Sequence, residues 1–254
     1  MLLAIDIGNT QIAAGLFKDD KLVSHWRMTS TVNRTEDEFW TVMKSICESL
    51  GYDICQTSAV AISSVVPNMT IAFQRLSIKF LKIEPIVVSN KTTGDIKLDY
   101  DNPAQVGADR ICNAVAGYAK YHGPLIIVDL GTATTFDVID ANGVYLGGII
   151  APGIEMTSMI LHEKAARLPR VELNFPDNVI GKSTETSMQS GLMYGTVEMV
   201  KGFVRRINEE TGYNHKLVIT GGLSKYIVRE LGQDYILEPF LTLDGLNILY
   251  KKLK

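Results

Sequence analysis

The amino-acid sequence of this chain contains an internal repeat. Residues 2–17 (LLAIDIGNTQIAAGLF) and residues 125–140 (LIIVDLGTATTFDVID) share one layout, in which an apolar run ends in Asp and a turn containing Gly leads to a second β-rich run. Each copy therefore predicts two strands joined by a tight turn. Each first strand is apolar throughout, which is typical of strands covered on both faces. Because a repeated layout indicates repeated architecture, we expect two similar sheets, one in each half of the chain.

The sequence around the two hairpins alternates between helical and extended patterns. Thr35 and Glu38 form a capping-box pattern, which predicts a helix start at this point. Residues 59–66 predict a strand, after which Asn68 is expected to cap a second helix. Alternating helices and strands are typical of an α/β fold.

The second hairpin begins about half a chain after the first, so each half is expected to form one lobe. We place the boundary so that residues 1–117 form an N-terminal lobe and residues 118–254 form a C-terminal lobe. In the second lobe, helical spacing covers roughly residues 156–166 and 186–210, separated by a long segment without periodicity. A segment of this kind within a compact domain is usually functional or flexible.

Composition excludes several classes of protein. The 254 residues are 46% hydrophobic and 21% charged, which is ordinary for a globular protein and argues against disorder. The formal net charge of -3 provides no positive field for nucleic acid or anionic lipid. No apolar run is long enough to span a membrane. The three cysteines form no CxxC pair, so a disulfide framework and a zinc ribbon are not supported, and a reducing cytoplasm fits best.

The two Asp-x-Gly turns and the late Thr220-Gly221-Gly222 are the strongest candidates for chemistry. Turns that contain Gly bring backbone N–H groups close to an anion, which suits nucleotide phosphates. Asp6, at a strand end, could hold a hydrated Mg²⁺ that bridges those phosphates. A single Asp-x-Gly is most often a simple hairpin turn, but two matched copies favour the nucleotide site. Pro176 rules out a P-loop ending at Gly181-Lys182-Ser183.

A second candidate is Gly107-Ala108-Asp109-Arg110, which opens an apolar-periodic helix. The helix dipole favours a carboxylate at this end, and Arg110 could hold a substrate carboxylate or a phosphate. Asp109 could accept the proton of a hydroxyl that attacks a phosphoryl group. The alternative is a structural helix start, with an Asp that complements the dipole and a solvated Arg.

Taken in order, these motifs and Gly147-Gly148-Ile149-Ile150-Ala151-Pro152-Gly153 resemble those of type III pantothenate kinases over essentially the full length. The resemblance implies membership of the acetate and sugar kinase, Hsp70 and actin superfamily. It therefore implies an α/β fold with two ribonuclease-H-like lobes, each with a mixed sheet flanked by helices, in a duplicated architecture.

The resemblance also implies roles for individual residues. The implied ATP contacts are Asp6, Ile7, Gly8, Asn9, Thr10, Gln11, Ile12, Ala13 and Thr132. The implied pantothenate contacts are Tyr100, Gly107, Ala108, Asp109, Arg110 and Thr184. Asp109 is the implied catalytic base and Asp6 lies near Mg²⁺, whereas Asp129 matches the position of a monovalent cation, K⁺ or NH₄⁺.

The implied activity is ATP-dependent phosphorylation of pantothenate to 4'-phosphopantothenate, the first step of coenzyme A biosynthesis, in a cytoplasmic homodimer. Two alternatives stay open at this point. One is another small-molecule kinase or a phosphatase on the same scaffold, because a fold does not fix a substrate. The other is a non-enzymatic regulatory protein, which the net charge and the lack of a basic stripe disfavour.

Overall fold

The computed structural model describes residues 1–232 and 234–253 and divides into two compact units. The first unit comprises Met1–Lys120 together with the C-terminal helix Leu241–Leu253, and the second comprises Tyr121–Phe240. The division close to residue 120 lies three residues from the boundary that the sequence suggested. The sequence placed the C-terminal helix in the second lobe. In the structure this helix belongs to the first unit, because its buried leucines cover strands of that unit.

The first unit is built on a five-stranded sheet. Its helices are α1 (Glu36–Ser49), α2 (Pro67–Leu76) and α3 (Ala108–Tyr121), whose last residue lies at the unit boundary. The strands of this sheet are β1 (Leu2–Ile7), β2 (Gln11–Lys18), β3 (Lys21–Thr29), β4 (Ala59–Ser64) and β5 (Ile86–Val87), and the short strand β6 (Lys97–Leu98) lies outside it. The sheet order is β3-β2-β1-β4-β5, with β1 antiparallel to β2 and parallel to β4.

Side chains along the central strands point alternately to the two faces of the sheet, so the two faces have different neighbours. Leu3, Ile5 and Ile7 of β1 are buried in a core cluster with Phe39 of α1 and Phe73 of α2. The residues between them, including Asp6, therefore point to the opposite face. The C-terminal helix, α7, contacts β1, β2 and β4. A further helix therefore packs on this sheet in addition to the helices of the core cluster.

The second unit repeats this plan. Its strands are β7 (Leu125–Leu130), β8 (Ala133–Ile139), β9 (Val144–Pro152), β10 (Lys216–Thr220) and β11 (Ile236–Leu237). Its helices are α4 (Ile154–Lys164), α5 (Thr184–Thr211) and the short α6 (Ser224–Ile227). The core lies between one face of the sheet and helices α5 and α6, and includes Val128, Phe136, Met193, Val200 and Ile227.

Five strands of the second sheet repeat the topology of the first. Their order, β9-β8-β7-β10-β11, matches β3-β2-β1-β4-β5 strand for strand. In both sheets the first strand pairs antiparallel with the second and parallel with the fourth. The predicted α/β fold with two mixed sheets flanked by helices is therefore confirmed, and so is the duplication inferred from the repeat.

Local sequence signals explain most helix ends. The Thr35 hydroxyl accepts a hydrogen bond from Glu38 N, and Glu38 Oε2 accepts one from Thr35 N at 2.8 Å, which completes the predicted capping box. The prediction that Asn68 caps α2 is wrong. This helix begins at Pro67, with Val66 as its cap residue, because the fixed φ of proline suits the first helical position.

None of the helices in the described residues is both long and apolar enough to cross a membrane.

Candidate active site

Two hydrogen bonds at Gly8 stabilise the compact turn between β1 and β2. Gly8 N donates to the Gln11 carbonyl at 3.0 Å, and the Ser30 hydroxyl donates to the Gly8 carbonyl at 2.5 Å. Asn9, Thr10 and Gln11 are exposed. The turn therefore presents the middle of the predicted ATP loop to solvent. Ala13, which is half-buried, pairs with Asp6 across the hairpin.

Two residues of the predicted ATP loop are core residues. Ile7 and Ile12 are fully buried and pack in the cluster beneath the sheet. They lie opposite each other at the end of the hairpin. Their side chains stabilise the turn from below, so only their backbone groups could contact a ligand.

Asp6 is placed by the register between β1 and β4. It is partly exposed and pairs with Ser63 across the two parallel strands. The Ser63 hydroxyl donates to Asp6 Oδ1 at 2.8 Å, and Ser63 is fully buried. A carboxylate in this position, beside a turn that contains Gly, could hold a Mg²⁺ ion bound with a nucleotide.

Asp109 lies in the first turn of α3. Its Oδ1 accepts a hydrogen bond from Arg110 N at 2.8 Å. A Cβ added at Gly107 would lie 2.4 Å from the same oxygen, so the glycine allows this carboxylate its position. Burial raises the pKa of Asp109 above its usual value, although the Arg110 backbone and charge oppose the shift. Asp109 is therefore a stronger base than an exposed carboxylate.

The helix end contributes two further buried residues. Ala108 and Arg110 are both buried, at 7% exposure each. The alternative in which Arg110 is a solvated residue is therefore wrong, because its side chain is packed within the protein. Tyr100, in the segment that leads to this helix, is half-buried.

Cys112 is a buried thiol on the helix that carries Asp109. It lies one helical turn after Asp109 and is fully buried. Burial raises the pKa of its thiol well above the usual value, and the charges of Asp6 and Asp109 raise it further. Both carboxylates therefore act electrostatically on the same buried thiol.

The second unit has its own carboxylate at the corresponding position. Asp129 is partly exposed at the end of β7, with Thr135 opposite it on β8 and Thr220 opposite it on β10. Gly221 follows directly and has a φ of +93°. A Cβ at Gly221 would lie 2.5 Å from Asp129 Oδ1, so the predicted Gly-Gly segment packs against this carboxylate.

Thr132 lies in the exposed turn between β7 and β8. A Cβ at Gly153 would lie 2.3 Å from the Thr132 carbonyl oxygen and 2.5 Å from that of Gly131. The backbone at the start of α4 therefore packs directly on this turn. The motif ending in Gly153 serves to support the second predicted phosphate turn.

Thr184 lies elsewhere in the second unit, at the exposed start of α5. It lines a groove of about 930 Å³ together with residues of α4. Lys182 and Ser183 supply polar groups to this groove, and Leu161 and Met188 supply an apolar wall. The segment that lacked periodicity in the sequence thus forms one side of a groove.

Sequence reasoning missed Ser63 and Cys112. A sequence signal exists for each. The apolar run of β4 ends in two serines, and Cys112 lies three residues after Asp109, on the same face of the helix. The serine signal does not identify a partner, because Ser63 and Asp6 are distant in sequence.

Comparison with known proteins identifies the family. A family model described as type III pantothenate kinase matches residues 2–206. The chain belongs to the type III pantothenate kinase family. A type III pantothenate kinase from Bacillus cytotoxicus is 42% identical over 252 residues, which cover 99% of this chain and 96% of the relative.

Solved structures support the fold. A Campylobacter jejuni protein described as a conserved putative Baf family transcriptional activator has a TM-score of 0.63 at 21% identity, covering 99% of this chain and 98% of that one. A ROK family glucokinase from Streptomyces griseus, in complex with glucose and AMPPNP, has a TM-score of 0.52 at 13% identity, covering 98% and 99%. At such identities these likenesses show the fold alone.

The resemblance to type III pantothenate kinases is therefore confirmed, together with the fold that it implied. Membership of this family makes the chain a kinase, of the transferase class. The roles of individual residues stay predictions.

Proposed function

We propose that this chain transfers the γ-phosphoryl group of ATP to the terminal hydroxyl of pantothenate, giving 4'-phosphopantothenate for coenzyme A biosynthesis. Membership of the type III pantothenate kinase family supports this assignment. The observation that carries it is that the first unit contains both the Gly-containing turn beside the Asp6 carboxylate and Asp109 at the start of α3. A turn suited to phosphates thereby lies in one unit with a candidate base.

Asp109 is the proposed catalytic base. Its raised pKa means that, once ionised, it attracts the proton of the attacking hydroxyl more strongly than a solvated carboxylate does. The deprotonated oxygen then attacks the γ-phosphorus as the bond to the β-phosphate oxygen breaks. Most of the catalytic effect comes from positioning, since phosphoryl transfer demands alignment of the reacting groups.

Tyr100 and the helix start are the proposed pantothenate contacts in the first unit. Arg110, which is buried, would supply charge for the substrate carboxylate, and the missing side chain at Gly107 leaves room beside Asp109. Thr184, in the groove of the second unit, is a further proposed contact.

The residues present fit a Mg²⁺ ion bound with ATP. Mg²⁺ favours one or two carboxylates together with water and phosphate oxygens, and Asp6 supplies a partly exposed carboxylate beside the first turn. The described residues contain no group of three or more His, Cys, Asp or Glu side chains suited to a metal. When bound with ATP, Mg²⁺ would neutralise charge on the phosphates.

Asp129 is the proposed position for a monovalent cation, K⁺ or NH₄⁺. Thr135 and Thr220 lie opposite it on the neighbouring strands, so hydroxyl oxygens are available beside the carboxylate. Oxygen ligands suit hard cations of this kind. Thr132, in the following turn, is the proposed ATP contact of the second unit.

We also propose a cytoplasmic homodimer. Several large apolar side chains of the second unit are exposed, among them Ile150 at 67%, Val179 at 64% and Ile180 at 81%. Exposed apolar surface favours association, because burial removes it from water. Light scattering should give twice the mass of the 28.0 kDa chain, and Ile180→Asp should reduce it to that of the monomer.

The proposed cytoplasmic location rests on the cysteines. All three are free, which suits a reducing compartment.

The deciding experiment measures ADP release with pantothenate, with and without K⁺. We expect turnover that depends on pantothenate, yields 4'-phosphopantothenate by mass spectrometry and increases with K⁺. The same assay tests acetate and hexoses as alternative phosphoryl acceptors. Turnover with a hexose but none with pantothenate would assign the chain a different substrate. DNA binding that decreases with salt, without any turnover, would favour the regulatory alternative.

A further inference from the structure

Ser63 occupies an unusual position for a hydroxyl group. It is fully buried near the end of β4, in a strand whose preceding four residues are apolar and buried. Val60 and Ile62 point into the core cluster, so Ser63 points to the opposite face of the sheet. A buried hydroxyl is costly unless it is hydrogen-bonded, and this one donates to Asp6 Oδ1 at 2.8 Å.

The direction of this hydrogen bond follows from the chemistry of the partners. An ionised carboxylate can only accept, so the Ser63 proton must point to Asp6. A hydrogen bond to an ionised carboxylate is stronger than a neutral one. Ser63 therefore restrains the orientation of the Asp6 carboxylate.

The second unit contains the same pairing of residue types. Thr220 of β10 lies opposite Asp129, in the strand relationship that places Ser63 opposite Asp6. Thr220 is also buried, at 2% exposure. A hydroxyl residue therefore stands beside the carboxylate at the end of the first strand in both halves. This recurrence supports a role of the hydroxyl toward the carboxylate.

We propose that Ser63 is a positioning residue, which fixes the Asp6 carboxylate for the Mg²⁺–nucleotide. This inference rests on the proposed function, in which Asp6 lies near Mg²⁺. Ser63 does not touch the reacting atoms. Its effect reaches the nucleotide through Asp6 alone, and should depend on the metal.

The test compares nucleotide binding by Ser63→Ala and the unmodified protein. Calorimetry with the ATP analogue AMPPNP measures the dissociation constant with and without Mg²⁺, in the absence of pantothenate. We expect Ser63→Ala to weaken binding in Mg²⁺ by about tenfold, as for other groups that orient a metal ligand. Binding without Mg²⁺ should stay unchanged. Ser63→Thr, which retains the hydroxyl as Thr220 does, should restore most of the loss.

Ser64→Ala is the matched control. Ser64 is the next residue, and its hydroxyl bonds to Val66 and Thr70 at the start of α2. This variant should lower thermal stability and leave the effect of Mg²⁺ unchanged. If Ser63→Ala does not fold, Ser63→Cys replaces it, because a thiol fills the same space with a weaker donor. The same loss, at smaller amplitude, is then expected.

Three results would overturn the proposal. They are a normal Mg²⁺ effect in the Ser63 variant, an equal loss of affinity with and without Mg²⁺, and the absence of any Mg²⁺ effect in the unmodified protein. Failure of the proposed function looks different. The unmodified protein would then bind the Mg²⁺–nucleotide and show the Ser63 effect, yet would not phosphorylate pantothenate.

Discussion

Gly221 lies directly against the carboxylate of Asp129. Its φ is +93°, and an added Cβ would come within 2.5 Å of both Asp129 Oδ1 and the Leu130 nitrogen. Residues other than glycine rarely adopt this backbone conformation. The end of β10 and the end of β7 can approach this closely only because no side chain intervenes.

Replacing Gly221 with alanine should therefore damage both stability and activity. The added methyl group collides with Leu130 and Asp129, and the positive φ becomes strained. We expect a loss of about 3 kcal/mol in the free energy of unfolding and of about 100-fold in kcat/KM, because Asp129 and the adjacent turn are displaced. Urea unfolding and steady-state kinetics measure the two effects.

Gly212→Ala is the control for this prediction. Gly212 has a φ of +71° at the end of α5, but no heavy atom lies within 4 Å of an added Cβ. Only backbone strain of about 1 kcal/mol is expected, without a change in kcat/KM. Equal destabilisation by the two variants would show that Asp129 and Leu130 tolerate the methyl group.

Asp109→Asn should abolish most turnover while nucleotide binding persists. The amide keeps the shape of the side chain but cannot accept the hydroxyl proton as a carboxylate does. We expect kcat to fall by about 100-fold to 10,000-fold, with the AMPPNP dissociation constant changed by less than about twofold. A near-normal kcat in this variant would exclude Asp109 as the base.

The pH profile provides a second measurement on Asp109. A base must be ionised to act, so activity should fall as pH decreases through its pKa. Burial raises that pKa, and the decline should therefore begin at a higher pH than for an exposed carboxylate. Stopped assays of kcat across pH should show this decline at low pH in the unmodified protein. The residual activity of Asp109→Asn should lack it.

The three cysteines should differ sharply in their reaction with thiol reagents. Cys55 is exposed, whereas Cys47 and Cys112 are buried. Burial also raises the pKa of Cys47 to about 11, and that of Cys112 well above its usual value. Because the thiolate is the reactive form, iodoacetamide should label Cys55 alone in the native protein. Mass spectrometry after labelling in urea should find all three modified, and native labelling of Cys112 would contradict its burial.

The elements that could be predicted from sequence are those with local signals. Both hairpins followed from strand patterns on either side of a turn, and the capping box at Thr35 involves residues three positions apart. The placement of Asp6 and Asp129 at corresponding strand ends followed from the repeat. Asp109 could be placed at a helix start because the apolar spacing begins there.

The remaining features depend on contacts that no local pattern encodes. The apolar face of α7 predicts a helix but does not say which sheet it covers, and in the structure Gly245 of this helix packs on the Cys112 backbone. The pairing of Ser63 with Asp6 requires the register between β1 and β4, which are separated by more than fifty residues. Such relationships arise only when the sheet is assembled.

His215 should make the second unit less stable in acid. Its side chain is buried, with Nδ1 lying 2.7 Å from Asn208 Oδ1, and Nε2 has no hydrogen-bond partner among the described residues. Burial lowers the pKa of His215 below 6.5. The unfolded chain therefore binds a proton more readily than the folded one. The stabilisation is complete above pH 6.5 and is lost as pH falls toward the lower pKa of the folded state.

Urea unfolding of His215→Gln and the unmodified protein at pH 8 and pH 5 measures this effect. The loss of unfolding free energy between the two pH values should be smaller in the variant, because glutamine does not titrate. His162→Gln, at an exposed position of α4, should leave the difference unchanged. An identical pH dependence in His215→Gln would show that protonation of this histidine does not contribute. The exposed carboxylates are common to all three proteins, so their titration cancels in the comparison.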